Sequence, residues 1–298
     1  MSGGKRKNFG GHTVVGPLKR VLVYPPVPHE NSVSWEEFSY LQRMDHEKAV
    51  QEHEAFRKIL RDAGADVITG EIDNPQLQDA IFPFDPVMIT DAGAILLQMG
   101  KRQRELEVEL AEETMRDLGI PIIGRIERPG RIEGGDCLWI DRYTLAVGRG
   151  YRTNQEGIRQ LTEILRPLHV EVVAYDLPHW TGPADCLHLL SLISMVDDHL
   201  AVVYKPLMAT AFLQELDNRG IAFVEVPEEE FATQGPNVLA LGQRHCLLLK
   251  ENEVTAKRLA DAGCTVQTYT GDEISHNRTG GPTCLTRPIL REYTRAPR

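Results

Sequence analysis

The sequence predicts an α/β propeller in which five similar units surround one axis. Apolar stretches alternate with amphipathic helices, most of the helices stop at a glycine, and a short strand follows each stop. Equivalent points of the units recur at intervals of 51, 52, 49 and 47 residues. A nearly fixed period of this size is typical of propeller-like arrays. We therefore expect one domain over residues 1–298, with residues 1–17 as a disordered N-terminal segment.

The core of each unit begins with a short apolar run and continues into a helix. Runs of four or five apolar residues bounded by turn residues are typical of buried strands. The helices are predicted from apolar side chains four residues apart, such as Leu106 and Leu110, and the third helix begins with a capping-box pattern, Thr153-x-x-Glu156. The strands are predicted at 21–24, 94–98, 144–147, 200–204 and 246–249, and the helices at 45–63, 105–118, 154–165, 206–218 and 252–262.

Glycine marks the predicted end of four of these helices. A glycine just after a helix can take the left-handed conformation that ends it. The third helix stops at Arg166-Pro167 instead, because proline cannot continue a helix. The glycines are Gly64, Gly119, Gly220 and Gly263, and the strands that follow the five helices are predicted at 65–69, 121–126, 170–175, 222–226 and 265–269.

A further strand precedes each later apolar run and is joined to it by a tight turn. Such a pair of strands is a β-hairpin, so each unit consists of a hairpin, a helix and a strand. The C-terminal hairpin needs the N-terminal strand to complete it, and this pairing closes the ring. The turns are Asp91-Ala92-Gly93, Asp141-Arg142, Asp197-Asp198 and Gln243-Arg244.

Composition and charge exclude several classes of protein. Hydrophobic residues make up 42% of the chain and charged residues 26%, which excludes a disordered or collagen-like chain. The net charge of −10 argues against a general nucleic-acid binder, because such a protein needs a basic face. The apolar runs are too short to span a bilayer, and the N-terminus lacks the apolar segment of a secretory signal. We therefore expect no nucleic-acid partner and no membrane association.

The cysteines indicate a reducing environment. There are five of them, they are widely spaced, and no Cys-x-x-Cys pair occurs. Neither a disulfide framework nor a zinc site is expected from this pattern, and a cytoplasmic location follows. The sequence does not determine the oligomeric state, for which a homodimer is our working expectation.

Polar residues occupy the equivalent point of every unit, at the start of its hairpin. In a closed ring these points face the same axis, so their side chains are expected to converge on one pocket. The residues at these points are Asp85, Asp136 (with Glu133 just before it), His188, Asn237 and Cys284.

Cys284 is the candidate nucleophile of this pocket. A cysteine is usually a small buried hydrophobe, and we assign that role to the other four. The sequence Gly280-Gly281-Pro282 precedes Cys284, and such a loop leaves backbone N–H groups free to stabilise a thiolate. His188 starts an apolar strand, where histidine is usually a hydrogen-bonded core residue, but the ring register places it opposite Cys284. A Cys/His pair is the minimum for covalent chemistry on an acyl-like or amidine-like carbon.

Three acids form a candidate cation site. Two glycines separate Glu133 from Asp136 and allow tight bends that turn both carboxylates inward, although the same pattern also fits a solvated turn. Asp85 lies at a predicted strand start, where the alternative role is a cap. Together the acids would hold a buried cation, because a buried charge must be paired. A guanidinium fits well, since it is planar, permanently charged and has five donors.

These motifs resemble those of the guanidine-modifying superfamily of arginine deiminases, amidinotransferases and dimethylarginine dimethylaminohydrolases, whose fold is the five-fold pentein propeller. The resemblance runs from about Leu18 to Arg291. The loop at Cys284 is closer to the deiminase and amidinotransferase form, Gly-Gly-Pro-x-Cys-x-Thr-x-Pro. The other motifs are similar to the dimethylarginine dimethylaminohydrolase branch: Asp79-x-x-Phe82-x-x-Asp85, Gly100-x-x-x-Arg104-x-x-Glu107, Glu133-Gly-Gly-Asp136 with Arg152-Thr153-Asn154, and His188-Leu-x-Ser191-x-x-Ser194-Met195.

The resemblance implies a cysteine hydrolase that converts N-methylated arginine to citrulline and an alkylamine. Cys284 would attack the guanidinium carbon, His188 would protonate the leaving amine and then activate water, and Glu133 would orient His188. No metal or cofactor is implied, because the substrate carries its own positive charge. The implied substrate-binding residues are Asp85 for the guanidinium, Asp79 for the α-amino group, Arg104 and Arg152 for the carboxylate, and Phe82 and Asp136 as further contacts.

Two positions depart from the family patterns. Phe84 stands where dimethylarginine dimethylaminohydrolases usually have an acid, and Leu190 stands where arginine deiminases have an aspartate. We expect Phe84 and Leu190 to line a more apolar pocket that favours alkylated guanidines over free arginine by at least about tenfold. An amidinotransferase, a deiminase-like enzyme and a non-catalytic guanidine-binding sensor remain alternatives.

Overall fold

The strands of this protein form small sheets of three. The computed structural model describes residues 8–28, 34–183 and 186–293, and within them there are five such sheets. The strands are β1 (Leu18–Val23), β2 (Asp66–Thr69), β3 (Val87–Ile89), β4 (Ala94–Leu96), β5 (Ile122–Arg125), β6 (Cys137–Asp141), β7 (Thr144–Arg149), β8 (Glu171–Asp176), β9 (Ile193–Asp197), β10 (Leu200–Val203), β11 (Ala222–Glu225), β12 (Leu239–Gly242), β13 (His245–Leu249), β14 (Thr265–Tyr269) and β15 (Arg287–Arg291).

Each sheet has the same topology. Its middle strand pairs antiparallel with one neighbour and parallel with the other, in the orders β15-β1-β2, β3-β4-β5, β6-β7-β8, β9-β10-β11 and β12-β13-β14. In the first of these, C-terminal β15 pairs with N-terminal β1, with Val21 opposite Pro288. This pairing joins the two ends of the chain, as a ring of five units requires. The predicted five-fold α/β propeller of hairpin–helix–strand units is confirmed.

A helix links the middle strand of each sheet to the last one. The α3 helix starts where Asn154 accepts a hydrogen bond from the backbone N–H of Gly157 at 2.9 Å. The predicted capping box is therefore wrong, because Asn154 fills the cap and the Thr153 hydroxyl donates to Asp136 at 2.6 Å. The helices are α1 (His46–Asp62), α2 (Glu107–Asp117), α3 (Gln155–Leu165), α4 (Thr210–Asn218) and α5 (Glu253–Asp261).

The predicted helix ends agree with the backbone conformation. The glycines at 64, 119, 220 and 263 all have positive φ, between 67° and 91°, as a left-handed helix end requires. Two helices start later than predicted, because a 3₁₀ turn precedes each of them, Arg102–Arg104 before α2 and Lys205–Leu207 before α4. Among the described helices, none combines the length and apolar character needed to cross a membrane.

The apolar core lies between the sheets and the helices that cover them. The α3 helix, for example, buries Ile158, Leu161 and Leu165 in a cluster with Leu145 and Val147. Fully burying side chains of this size stabilises the fold by about 1.5–3 kcal/mol each. This packing makes each unit a rigid support for the residues at the start of its hairpin.

The N-terminal segment is more ordered than the sequence suggests. The backbone N–H of Gly10 donates to the carbonyl of Ile289 at 2.9 Å, and the ring of His12 stacks on Trp139 with centroids 4.4 Å apart. The prediction of disorder is therefore wrong for residues 8–17, because these residues pair with β15 and pack on β6. Residues 1–7 lie outside the described part of the chain.

Candidate active site

The five equivalent points of the propeller meet through hydrogen bonds between neighbouring units. Asp85 accepts from the backbone N–H of Gly135 at 2.8 Å, and Asp136 accepts from that of Leu189 at 3.0 Å. The side-chain amide of Asn237 donates to the Cys284 sulfur at 3.3 Å. Asp85, His188 and Cys284 line one cavity, whereas Asp136 and Asn237 are buried beside it, so the structure shows the predicted convergence for three of the five residues.

A cavity of about 180 Å³ opens at this meeting point. Acidic, basic and thiol side chains share its wall with aromatic and aliphatic ones, so it can take a ligand that is both charged and partly apolar. Its lining includes Phe38, Leu41, Asp79, Phe82, Asp85, Lys101, Arg104, Arg152, Cys186, His188, Arg278 and Cys284.

Glu133 and His188 form a buried pair behind the cavity wall. The Nε2 atom of His188 lies 2.7 Å from Oε2 of Glu133, which is completely buried. The other oxygen of Glu133 accepts from the backbone N–H groups of Gly100 and Lys101 at 2.8 and 3.1 Å. Burial alone would raise the pKa of Glu133, but the hydrogen bond and charge of His188 hold this pKa well below its usual value. Glu133 is therefore a fixed negative charge that orients the imidazole.

The two glycines after Glu133 allow this pair to form. A side chain at Gly135 would place its Cβ 2.2 Å from Nδ1 of His188, and one at Gly134 would lie 2.1 Å from the carbonyl oxygen of Phe84. Neither contact is sterically possible. The glycines therefore let the 3₁₀ turn Gly134–Asp136 approach both the histidine and the preceding unit.

The other ring nitrogen of His188, Nδ1, faces a second cysteine. Its Nδ1 atom lies 3.2 Å from the sulfur of Cys186. Burial alone would lower the pKa of His188, but the interaction with the Cys186 sulfur and the negative charges of Asp136 and Asp85 raise it well above the usual value. At neutral pH the imidazole is therefore protonated and able to donate a proton.

The thiol of Cys284 is neutral before a ligand binds. Burial, and then the negative charge of Asp85, raises the pKa of Cys284 to about 11. The charge of His188 and the hydrogen bond from Asn237 oppose this rise. A cation placed beside Cys284 would favour the thiolate in the same way, so ligand binding and activation of the nucleophile are coupled.

Arg104 holds Asp85 rather than a free carboxylate of a ligand. Its Nη1 donates to Asp85 at 2.6 Å, its Nε and Nη2 donate to Glu107, and Nη2 also donates to the carbonyl of Phe82 at 3.0 Å. Four of its five N–H groups are thereby engaged within the protein. Arg104 was expected to bind the carboxylate of the substrate, but Glu107 and Asp85 occupy most of its donors. In the structure it therefore holds Asp85 in place.

Asp79 is likewise engaged by protein groups. Its carboxylate accepts from Nζ of Lys101 at 2.9 Å and from the hydroxyl of Tyr40 at 2.8 Å. Burial alone would raise the pKa of Asp79, but the charges of Lys101 and Arg104 lower it. An α-amino group of a ligand would have to compete with Lys101 for this carboxylate.

Arg152 keeps more of its donors for a ligand. Its side chain lines the cavity, and its one hydrogen bond among the described residues goes from Nη1 to Oε2 of Glu133 at 3.3 Å. Phe82 also lines the cavity, where its ring packs beside Gly280.

Three of the predicted substrate-binding residues lie elsewhere. Phe84 and Leu190 line a different cavity, where the ring of Phe84 stacks under the guanidinium of Arg287 at 3.8 Å. Asp136 is completely buried, with its oxygens on Thr153 and Leu189, and burial raises its pKa to about 6. The expectation that Phe84 and Leu190 make the catalytic pocket apolar therefore has no support in the geometry.

Comparisons with known proteins identify the family of this chain. A family model described as N,N dimethylarginine dimethylhydrolase, eukaryotic, matches residues 31–291. The chain belongs to this family. It is 30% identical, over 250 residues, to the N(G),N(G)-dimethylarginine dimethylaminohydrolase of Streptomyces coelicolor, covering 83% of this chain and 88% of that one. The suspected resemblance to the dimethylarginine dimethylaminohydrolase branch is confirmed.

More distant members of the superfamily are also similar. An arginine deiminase of Listeria welshimeri is 26% identical over 258 residues, covering 72% of this chain and 62% of that protein. The structure of the dimethylarginine dimethylaminohydrolase of Pseudomonas aeruginosa, a cysteine-to-serine mutant in complex with citrulline, superposes with a TM-score of 0.74 at 23% identity. The match covers 93% of this chain and 100% of that one, and it shows a common fold.

Sequence analysis did not identify Cys186 as a residue of the candidate catalytic cavity. We assigned it to the apolar core, but it is exposed, lines the cavity and contacts His188. A signal was present, since residues two apart in an extended segment point to the same side. Lys101 and Arg278 also line the cavity and were not predicted, because no local motif distinguishes them from the exposed lysines and arginines of the chain.

Replacing Cys186 with alanine is expected to shift the pH profile while activity survives. The variant removes the hydrogen bond at Nδ1 that helps to raise the pKa of His188, so this pKa should fall. The alkaline limb of kcat/KM against pH, which reports loss of the His188 proton, should then move to lower pH. Cys186→Ser, which keeps a hydrogen-bonding group at Nδ1, is expected to shift it less. Identical profiles for the wild type and Cys186→Ala would contradict this role.

Proposed function

We propose that this protein hydrolyses N-methylated arginine to citrulline and an alkylamine through a covalent adduct on Cys284. The observation that carries the proposal is the assembly of the Cys284 thiol, the His188–Glu133 pair and the Asp85 carboxylate at a single cavity. Membership in the dimethylarginine dimethylhydrolase family supports the same activity.

The charges of the cavity suit the two ends of an amino acid with a guanidinium side chain. Asp85 uses one oxygen for Gly135 and one for Arg104, and the remaining lone pairs of its carboxylate can accept guanidinium N–H groups. Arg152 has free donors that can bind the α-carboxylate, a role that Arg104 cannot fill with its one remaining N–H. Lys101 and Arg278 add positive charge to the same wall.

The first half of the reaction begins when the guanidinium binds beside Cys284. Its positive charge favours release of the thiol proton to the surrounding solvent, and the sulfur forms a bond to the guanidinium carbon. The bond from this carbon to the methylated nitrogen then breaks, and the amine leaves with a proton from His188. A thiouronium adduct on Cys284 and a neutral imidazole remain.

The second half consumes one water molecule. Neutral His188 takes a proton from this water while the oxygen bonds to the thiouronium carbon. The carbon–sulfur bond then breaks and returns its electron pair to Cys284, which takes up the proton of the added hydroxyl group. The ureido group of citrulline, a neutral Cys284 thiol and a protonated His188 remain. Glu133 stabilises the imidazolium that forms each time His188 gains a proton.

We expect methylated arginines to be turned over at least about tenfold more efficiently than free arginine. Free arginine has the most guanidinium N–H donors, and each buried donor without an acceptor costs about 1–3 kcal/mol. Apolar neighbours for a methyl group come from Phe82 and Leu41, which line this cavity. The measurement is kcat/KM for arginine, mono- and dimethylarginine, with product masses identified.

The same panel separates the alternatives. Preferred release of ammonia from free arginine would identify a deiminase-like enzyme and contradict the proposal. Transfer of the amidino group to added glycine, with no citrulline, would identify an amidinotransferase. Binding of methylarginine without any product would identify a guanidine sensor.

The location and assembly of the protein are inferred separately. All five cysteines are free thiols, which fits a reducing cytoplasm. A homodimer stays a prediction, which the mass of the protein in solution would test.

A further inference from the structure

A second cavity, of about 50 Å³, lies on the axis of the propeller. It is lined by residues of β3, β6, β9, β12 and β15, which are the outer strands of the five antiparallel pairs. Among the described residues, none lines both this axial cavity and the catalytic cavity. Its wall is mostly apolar, with Leu138, Trp139 and Met195 among its members.

Two arginines of β15 face the axial cavity. Arg287 and Arg291 both line it, although only 7% of Arg287 and 3% of Arg291 is exposed to solvent. The Nη1 of Arg287 donates to the carbonyls of Phe84 and Val87, and the Nη1 of Arg291 donates to the carbonyl of Gly16 at 2.7 Å. The Nε of each arginine is buried and has no hydrogen-bond partner in the described structure.

The two positive charges have no counterion within the described protein. No described carboxylate lies within ion-pair distance of either arginine, and Asp85, the acid that acts on Arg287, already binds Arg104 and Gly135. Burial lowers the pKa of Arg287 to about 10 and that of Arg291 to about 9, so both stay protonated near neutral pH. The ring of Phe84 offsets one charge in part. Buried charges of this kind are normally paired.

We propose that the axial cavity binds a small monovalent anion of the chloride class beside Arg287 and Arg291. The cavity exceeds the roughly 10–15 Å³ that one water requires, yet it is too small for an organic ligand. An apolar wall with two cationic donors suits a weakly hydrated halide better than a strongly hydrated dianion.

The anion has a route to this site from the surface. Thr13, Val14, Trp139 and Met195 line both the axial cavity and a surface depression of about 620 Å³. None of the described residues of this depression belongs to the catalytic cavity. The proposed anion site therefore shares no lining residue with the proposed substrate site, and failure of one proposal leaves the other standing.

The first test is the melting temperature of the wild-type protein in sodium chloride and in sodium gluconate at equal ionic strength. A ligand that binds only the folded state stabilises it, so chloride at about 100 times its Kd should raise Tm by about 4 °C over gluconate. Bromide should act like chloride, and its anomalous diffraction signal should show one peak beside the two arginines. Equal Tm values in the two salts, or a bromide peak without any Tm effect, would reduce the site to water or an adventitious ion and overturn the proposal.

Variants of the arginine pair locate the effect. Arg291→Met removes one charge and should abolish most of the chloride-dependent rise in Tm, whereas Arg291→Lys should keep part of it. The matched control is Arg159→Met, which removes an arginine that is half exposed on α3 and paired with Glu156. If Arg291→Met fails to fold, Arg287→Met and the wild-type bromide peak decide the question. A full chloride effect in a folded Arg291→Met protein would show that the anion binds elsewhere.

Discussion

Replacing Cys284 with serine is expected to lower kcat/KM for methylarginine by at least about 10³-fold while the fold persists. Cys284 lies at the cavity that also holds His188 and Asp85, and the adduct of the proposed reaction forms on its sulfur. A serine hydroxyl is nearly the same size but ionises far less readily, even beside a bound cation. The change should therefore remove chemistry and leave binding of the substrate nearly intact. Steady-state kinetics, a binding measurement and circular dichroism check the three parts of this expectation.

The controls for this prediction are the other buried cysteines. Cys137, Cys246 and Cys264 are free and buried, and they do not line the catalytic cavity. Alanine at any of these three positions is expected to leave activity measurable, because each one packs in the core. A normal rate in Cys284→Ser would disprove the covalent mechanism. Loss of activity in all four variants would indicate that folding, rather than the nucleophile, had been disturbed.

Replacing Glu133 with glutamine is expected to lower kcat by about 10²–10³-fold, with a much smaller change in KM. Its carboxylate accepts from His188, Arg152 and two backbone N–H groups, so four donors surround it. Glutamine keeps the shape but removes the charge, and it places an NH₂ group among these donors. His188 should then lose its orientation, and its pKa should fall because its negative partner is gone.

The pH profile distinguishes this effect from general damage. If Glu133 acts through His188, the alkaline limb of the kcat profile should move to lower pH in Glu133→Gln. Glu163→Gln, at an exposed residue paired with Arg159 on α3, is the matched control and should behave like the wild type. An unchanged pH profile together with a large loss of thermal stability would assign Glu133 a structural role only.

For Phe84 and Asp85, the repeat predicted the position in the fold but not which cavity each side chain enters. The period of the repeat places this dipeptide at the axis, and both residues are indeed there. Both residues lie in the turn before β3, and this turn directs Asp85 into the candidate catalytic cavity and Phe84 into the axial one. Leu190 lies in the 3₁₀ turn Leu189–Ser191 directly after His188, where strand alternation no longer applies. The sequence-based expectation placed Phe84, Asp85 and Leu190 on the wall of one pocket, whereas the structure divides them between two cavities.

Arg104 shows that contacts between residues far apart along the chain are not predicted by local motifs. Its partner Glu107 is three residues away and could be predicted, but Asp85 is 19 residues away and meets Arg104 only when the start of the β3–β4 hairpin packs against the segment before α2. The same holds for Lys101 and Asp79, which are 22 residues apart. Whether an arginine or an acid is free to bind substrate depends on such contacts, and residue type alone does not reveal them.

The sequence by itself determined the five-unit repeat, the helix ends and the five polar points at the axis. These features depend on short-range periodicity, on the conformational freedom of glycine and on a chain topology that brings equivalent points together. Only the tertiary structure decided which groups at the axis keep free donors and acceptors. It engaged Arg104 and Asp79 within the protein, brought Cys186 against His188, and left Arg287 and Arg291 without acids. The reason is that these partners come from separate segments of the chain, within one unit or in neighbouring units, whose relative positions are set by packing.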